Sequence, residues 1–362
     1  MRNDILDIYS DYLLYSTKQT TATGLSQILD EEISHDKITR FLASEDFDEK
    51  TLWKKTKKLV RAYEEEKACL IFDDTIIEKA YMDENEIICW HYDHTEGKTI
   101  KGINLLSAFY HSEKAGHNLC LPVGFKIISK TEEYIDEKSG KKKRKSLMTK
   151  NEMMQDMIKR QIQNQVKFEY ILADSWFSSA ENMRFIAKRG KTFIFDIKTN
   201  RLVTNSERNR NQGAFERLEH MVVPEEEPIK VWIKDLEFSV LLFKQVFRNK
   251  DGTCGQRFLV TNNLTLSNEE FKVLYKKRWG VEEYHKSLKQ NASIGNSPAY
   301  KVRTQSNHIF LSIYAYVKLE ILKLSTGFNH FALKTKIYIA SMKTAFTTFQ
   351  MLWENAKNCA SA

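Results

Sequence analysis

Cys69-Leu70-Ile71-Phe72-Asp73-Asp74 and Tyr170-Ile171-Leu172-Ala173-Asp174 are the two stretches on which the fold turns. Each is a short apolar run closed by a carboxylate. Continuous runs of this length read as strands buried on both faces, the signature of a sheet covered by helices. A carboxylate that ends such a strand stands at the sheet rim, where ligands bind in open α/β folds. Capping the next helix is the bland alternative, and Asp174-Ser175 suits it.

Outward from these runs the pattern alternates. Strands are expected over residues 86–92, 103–110, 119–128 and 192–197, and helices over 150–166 and 180–189. Strands, a helix and a strand again predict an α/β sheet. Residues 200–260 hold two of the four prolines and alternating segments such as Lys230-Val231-Trp232-Ile233, and read as a β-rich insertion. From Ser267 onward the chain reads as mostly helical. Residues 1–66 are helical too: a short helix over 23–29, a turn, and a second helix from His35 capped by Ser34. That pair resembles a helix-turn-helix exposing His35, Lys37 and Arg40, although a plain helical hairpin gives the same pattern.

At 362 residues the chain exceeds a typical domain of roughly 100–200 residues, so several pieces are expected. With 42% hydrophobic and 29% charged residues it can bury a large core, which excludes collagen-like and wholly disordered classes. The longest strongly apolar run, residues 309–317, is nine residues long against the ~20 that span a bilayer, so no membrane partner is expected. No apolar signal region follows Met1-Arg2-Asn3-Asp4, and the five scattered cysteines read as reduced thiols of a cytoplasmic protein.

Net charge is +8, from 56 basic and 48 acidic side chains. Residues 138–167 alone carry ten Lys/Arg, beginning at Lys138, against Glu152 and Asp156, so the rest of the chain sums to zero. Charge this local suggests a surface for a polyanion, with Lys142, Lys143 and Arg144 as candidate DNA contacts; a solvated loop is the alternative.

A third element is Tyr275-Lys276-Lys277-Arg278-Trp279-Gly280-Val281-Glu282-Glu283-Tyr284-His285-Lys286-Ser287-Leu288-Lys289. Leu274, Val281 and Leu288 recur every seven residues and predict one helix with a buried seam. Tyr275, Glu282 and Lys289 each lie one residue later, with Arg278 and Lys286 near the same face. One acid among cations suits a metal beside phosphates. Trp279 is either a platform for an unstacked base or a core aromatic. Rival chemistries lack their residues: Gly97-Lys98-Thr99 has Tyr92 where a phosphate loop needs glycine, and Cys89, His91 and His94 lack a second ligand pair for zinc.

Tyr-(2)-Arg-(3)-Glu-(6)-Lys, here Tyr275, Arg278, Glu282 and Lys289, matches the signature of bacterial cut-and-paste insertion-sequence transposases of the DDE type. Asp74-Thr75 resembles their first motif and Asp174-Ser175-Trp176-Phe177 their second. The resemblance covers residues 68–295. It implies an RNase H-like catalytic core interrupted by a β-rich insertion, with helical N- and C-terminal regions. The expected pieces are a helical, helix-turn-helix-like region 1–66, core 67–199, insertion 200–260, core with the signature helix 261–295, and a helical region 296–362. Asp74, Asp174 and Glu282 become the catalytic and metal-binding triad, holding two Mg2+ or Mn2+ ions. Asp73 doubles the first acid, and Asp74 is chosen because the Asp-Thr step carries the match. Tyr275, Arg278, Lys286 and Lys289 are implied DNA contacts. The implied partners are double-stranded DNA, as terminal inverted repeats and target, and a second copy in a homodimeric DNA complex at the nucleoid. The implied reaction cuts at the repeats, passes through a hairpin and joins 3′-OH ends to target DNA. A metal-dependent endonuclease without strand transfer, and a DNA-binding protein that no longer cuts, are the alternatives.

Overall fold

Residues 49–283 form one unit, and residues 1–48 with 284–362 form another, in the computed structural model, which describes residues 4–93, 97–137, 140–225, 227–248 and 252–360. His94 and Lys138 lie outside the described residues.

The divided unit begins with helices α1 (Ile5–Tyr15), α2 (Ala22–Ile28) and α3 (His35–Ser44). Each starts on a side-chain cap: Asp4, Thr21 and Ser34 accept from the backbone N–H of Leu6, Gly24 and Lys37. Helix α3 buries Ile38 and Leu42 and leaves His35, Lys37 and Arg40 exposed.

The continuous unit opens with α4 (Glu49–Tyr63) and then builds strands β1 (Cys69–Glu78), β2 (Cys89–Asp93), β3 (Lys98–Lys114), β4 (His117–Ile127), β5 (Glu132–Ile135) and β6 (Lys142–Lys145). Helix α5 (Lys150–Gln163), strand β7 (Tyr170–Ala173), α6 (Ala180–Ala187) and β8 (Thr192–Asp196) come next. Strand β9 (Leu202–Thr204), α7 (Glu207–Asn211), β10 (Glu216–Arg217), β11 (Ile229–Ile233), β12 (Ser239–Arg248), β13 (Cys254–Thr261) and α8 (Asn268–Lys276) complete it. An eleven-stranded sheet runs β10-β9-β11-β12-β13-β8-β7-β1-β3-β2, with β4 also on β3. Strands β1, β7 and β8 are mutually parallel at its centre, and every residue of β7 is buried. That explains their uninterrupted apolar runs. The strands of residues 200–260 continue this same sheet, since β13 pairs with β8.

The structure corrects two expectations. Asp73 and Asp74 do not end their strand: β1 runs on to Glu78 because its antiparallel partner β3 continues beside it. What ends there is β7, whose pairing with β1 stops at Phe72↔Ala173. The expected single signature helix is two, α8 and then α9 (Trp279–Asn291), separated at Lys277-Arg278. Backbone bonds there span three residues, Arg278 to Tyr275 and Val281 to Arg278, a tighter turn than an α-helix makes. Gly280, a poor helix former, follows directly. Leu274 is consequently only half-buried, while Val281 and Leu288 are buried.

Helix α9 passes from the continuous unit into the divided one, which then adds α10 (Val302–Thr326) and α11 (His330–Ala360). Helix α10 is that unit's core element. Phe310 stacks on Phe47 with ring centroids 4.6 Å apart, and His308 Nδ1 lies 3.1 Å from the Tyr9 hydroxyl. Gly327, in the left-handed region at φ 75°, ends the helix. Among the described residues no helix is long and apolar enough to cross a membrane.

Candidate active site

Register at the centre of the sheet decides where the acids lie. Phe72 of β1, Ala173 of β7 and Phe195 of β8 are level with one another. One residue further along, Asp73, Asp174 and Asp196 therefore stand side by side where the parallel strands finish. Three neighbouring carboxylates in a partly dry setting raise one another's proton affinity. Burial, then the Asp174 charge, pushes Asp73 up to about 7, against the pull of Arg278. Burial pushes Asp196 up to about 6, opposed by Arg257, whose Nε lies 3.4 Å from its carboxylate. Asp174 is raised by burial as well, and the Trp176 backbone N–H donated to its Oδ1 at 3.0 Å works the other way.

Asp74, one residue on, alternates to other partners. Its Oδ2 accepts from Asn104 Nδ2 at 2.8 Å and from Lys150 Nζ at 2.7 Å. Lys150 is delivered by the start of α5, where Thr149 and Glu152 form a reciprocal capping box. Its ammonium also lies 5.1 Å from the Trp176 ring centroid. Asp74 thus meets Lys150 while still raising the Asp73 and Asp174 carboxyls.

Glu282, in the first turn of α9, pairs with the Arg278 guanidinium one turn earlier. Burial alone would lower Arg278, but Tyr275, Glu282 and Asp73 around it hold its pKa above the ordinary value. Arg278 is therefore the cation that faces both Glu282 and the row of aspartates. Tyr275 is buried, and burial pushes its phenol up to about 12; Arg257 and Arg278 lie 5.5 and 5.7 Å from its ring. Trp279 is 60% exposed, which removes the core-aromatic reading, and it lines a cavity of about 600 Å³ with Tyr275 and Arg278.

Among the described residues no three His, Cys, Asp or Glu side chains already converge on one ion-sized point. Asp74 is turned to Lys150 and Glu282 to Arg278. The donor set nonetheless fits a hard divalent cation: it is all carboxylate oxygen, and burial, with the Asp74 charge adding to it, has raised the proton affinity of Asp174, a strain that added positive charge relieves.

The continuous unit thus brings Asp74, Asp174, Tyr275, Arg278 and Glu282 together through the contacts above. Lys286 and Lys289 belong to the later half of α9, in the divided unit, where Lys286 Nζ lies 5.1 Å from the Phe331 ring. Lys142, Lys143 and Arg144 form strand β6, hydrogen-bonded to β5 as an exposed two-stranded hairpin. Their charge is locally answered: Lys142 and Arg144 pair with Glu133, Lys143 with Asp136 at 2.6 Å, and Lys145 with Glu132. The solvated-loop reading is therefore replaced by a strand. Such exposed pairs contribute little and exchange readily for other anions.

Two residues escaped the reading of the sequence. Asp196 ends Phe193-Ile194-Phe195 in the same way that Asp174 ends its run, and that pattern could have found it. Lys150 had no signal, since its contact with Asp74 joins positions 76 residues apart.

Residues 1–217 match the family described as DDE superfamily endonuclease, and residues 148–318 match the Transposase DDE domain. The first span includes Asp73, Asp74 and Asp174; the second includes Asp174 and Glu282. No curated protein matches the chain.

Proposed function

Because the chain belongs to the DDE superfamily of endonucleases, we propose that it is a DNA transposase of the cut-and-paste type, acting at the terminal inverted repeats of an insertion sequence. In this reading β1, β7 and β8 form the centre of an RNase H-like core, residues 200–260 are its insertion, and residues 1–66 carry a DNA-reading helix-turn-helix. The observation that carries it is the level row Asp73, Asp174 and Asp196, beside Asp74, with Glu282 held by Arg278.

Asp74, Asp174 and Glu282 would hold two Mg2+ or Mn2+ ions. Such ions lower the barrier to in-line displacement at phosphorus by activating the attacking oxygen and stabilising the leaving one. The chain's own groups do the rest. Lys150 and Arg278 keep the carboxylates apart and neutralised, and both are placed to turn toward phosphate oxygens when the acids are otherwise engaged. Arg278 offers a planar fork suited to bidentate phosphate contact. Asn104 fixes one oxygen of Asp74, and the Trp176 backbone N–H fixes one of Asp174, so neither carboxylate is free to rotate. Tyr275, Lys286 and Lys289, with Lys142, Lys143, Arg144 and the indole of Trp279, are the remaining DNA contacts in this reading. Two copies acting on paired ends complete it.

A nuclease that cuts without joining is the second reading, favoured by the description of the longer family match as an endonuclease. The test of the site is paired gel-shift and cleavage on DNA carrying the gene's flanking repeats. Asp74→Ala, Asp174→Ala and Glu282→Ala should each bind and not cut, and an active Asp174→Ala protein would remove the assignment.

A further inference from the structure

Helix α4 holds a second concentration of positive charge, which the zero sum outside residues 138–167 conceals. Six of its fifteen residues are basic: Lys50, Lys54, Lys55, Lys57, Lys58 and Arg61. Its one acid, Glu49, is buried and turned inward to Lys126 and Arg160, 3.4 and 3.2 Å away. Leu52, Thr56 and Val60 are buried against the sheet. Arg61 is committed to the fold, donating to the Asn164 and Gln165 carbonyls and pairing with Glu64. Lys50, Lys54, Lys57 and Lys58 are left exposed, and among the described residues none of the four makes an ion pair. Lys54 has Lys50, Lys57 and Lys58 three or four positions away, and each such like-charge pair destabilises a helix. A solvated face ordinarily mixes signs, as the β5–β6 hairpin does. A face of one sign is relieved by a polyanion.

Sheet register places this face relative to the candidate site. Gly124 of β4 is level with Ala108 and, through it, with Phe72. A Cβ on Gly124 would lie 3.2 Å from Glu49 Oε1, so α4 starts at the level of the aspartates. Its last residue, Tyr63, meets His117 at the opposite end of β4, with ring centroids 5.7 Å apart. Phe72 and Asp74 share a face of the sheet by alternation, and α4 covers that face. The lysines therefore run back from the row of acids. At 1.5 Å per residue, Lys50 and Lys58 are roughly 12 Å apart along the helix, about the width of the major groove of a DNA duplex. A stripe of that length reaches both rows of phosphates that border the groove, whereas a single strand offers one row. Helix α4 contains no Asn or Gln to read base edges, and lysines act on phosphates as point charges. None of its large apolar residues is exposed, so it has nothing to bury in a lipid surface.

We propose that the outer face of α4 is a sequence-independent contact surface for duplex DNA, with Lys50, Lys54, Lys57 and Lys58 on phosphates of both strands across one major groove. The choice of duplex DNA as the polyanion rests on the DNA-processing reading. The surface belongs to the same unit as the candidate active site and is distinct from the helix pair α2 and α3. Contact without base reading suits DNA that is not selected by its sequence, the class to which a target duplex belongs.

The test is equilibrium binding of the full chain, in EDTA and across a salt series, to a 30-base-pair duplex that lacks the flanking repeats. Replacing Lys50, Lys54, Lys57 and Lys58 with glutamine should flatten the slope of log affinity against log salt by about 0.9 for each phosphate released, or about 3.6 in all. Arginine at the same four positions keeps the charge and should keep the slope. Lys54→Gln with Lys57→Gln should flatten it by about 1.8, and this pair serves if the fourfold variant fails to fold. A 30-nucleotide thymidine strand should lose no more than half as much slope. Vesicles containing phosphatidylserine should not bind through this face. An unchanged duplex slope overturns the proposal, as does an equal loss on the single strand or vesicle binding that the glutamines abolish. Cleavage of repeat DNA with an unchanged slope would remove only this surface. A flattened slope in a chain that never cuts would remove only the transposase reading.

Discussion

Asp73→Asn, measured without divalent metal, should make the protein more stable at neutral pH and leave it nearly unchanged in acid. The folded carboxyl is pushed up to about 7 from the ordinary 3.8, chiefly by burial and the Asp174 charge. A raised pKa means that the folded state binds the proton more tightly than the unfolded state. Stability from this group is therefore fully present below pH 3.8 and drains away as the pH rises toward 7. Between pH 5 and 8 the wild type should lose the equivalent of about two pKa units, at about 1.4 kcal/mol each, or roughly 3 kcal/mol. Asp73 is half-buried, so solvent reaching the carboxyl brings the expected figure nearer to about 1–2 kcal/mol. Asparagine keeps the side-chain oxygen that accepts the Asp74 N–H at 2.9 Å and removes the titration. Urea denaturation of both proteins at pH 5 and pH 8 in EDTA measures the effect. The gap between them should widen with pH and shrink when Mg2+ is added to the wild type. Parallel curves at the two pH values would mean that Asp73 does not share a crowded site with Asp174.

Arg278→Ala should impair hairpin formation more than first-strand nicking, because it removes the fork beside Glu282 that in the proposed reading holds the DNA end, and the hairpin demands the sharpest backbone distortion. Lys289→Ala should follow the same order more mildly, and denaturing gels that resolve nicked, hairpin and fully cut products check both. Replacing residues 141–145 with glutamine should reduce the slope of log affinity against log salt by about 0.9 for each phosphate the segment no longer neutralises. An unchanged slope would leave strand β6 to its ion pairs with Glu132, Glu133 and Asp136.

How much of this was legible in the sequence depended on whether the deciding forces were local. The strands at Cys69 and Tyr170 could be read because burial on both faces demands an unbroken apolar run, and the helix cap at Ser34 because a cap is a contact within three residues. Asp73 and Asp74 were misplaced at a strand end because the length of β1 is set by β3, about 30 positions away in sequence. The heptad of Leu274, Val281 and Leu288 suggested one helix, but local turn bonding around Arg278 and Gly280 split it. The basic stretch concealed a hairpin, since its acidic complement precedes it and only pairing brings the two together. Asp196 ends an apolar run as Asp174 does and could have been found by that pattern, whereas Lys150 joined the site through a tertiary contact that leaves no local signal.

The central claim is that this chain moves DNA ends, and the most direct measurement supplies purified protein, Mg2+, DNA bearing the flanking repeats and a supercoiled target plasmid. The account predicts repeat ends joined covalently through their 3′-OH to the plasmid, with Asp174→Ala bound to the DNA and inert. Cleaved repeats without joined product would contradict the transposase reading in favour of an endonuclease, and joining that survives Asp174→Ala would contradict the site itself.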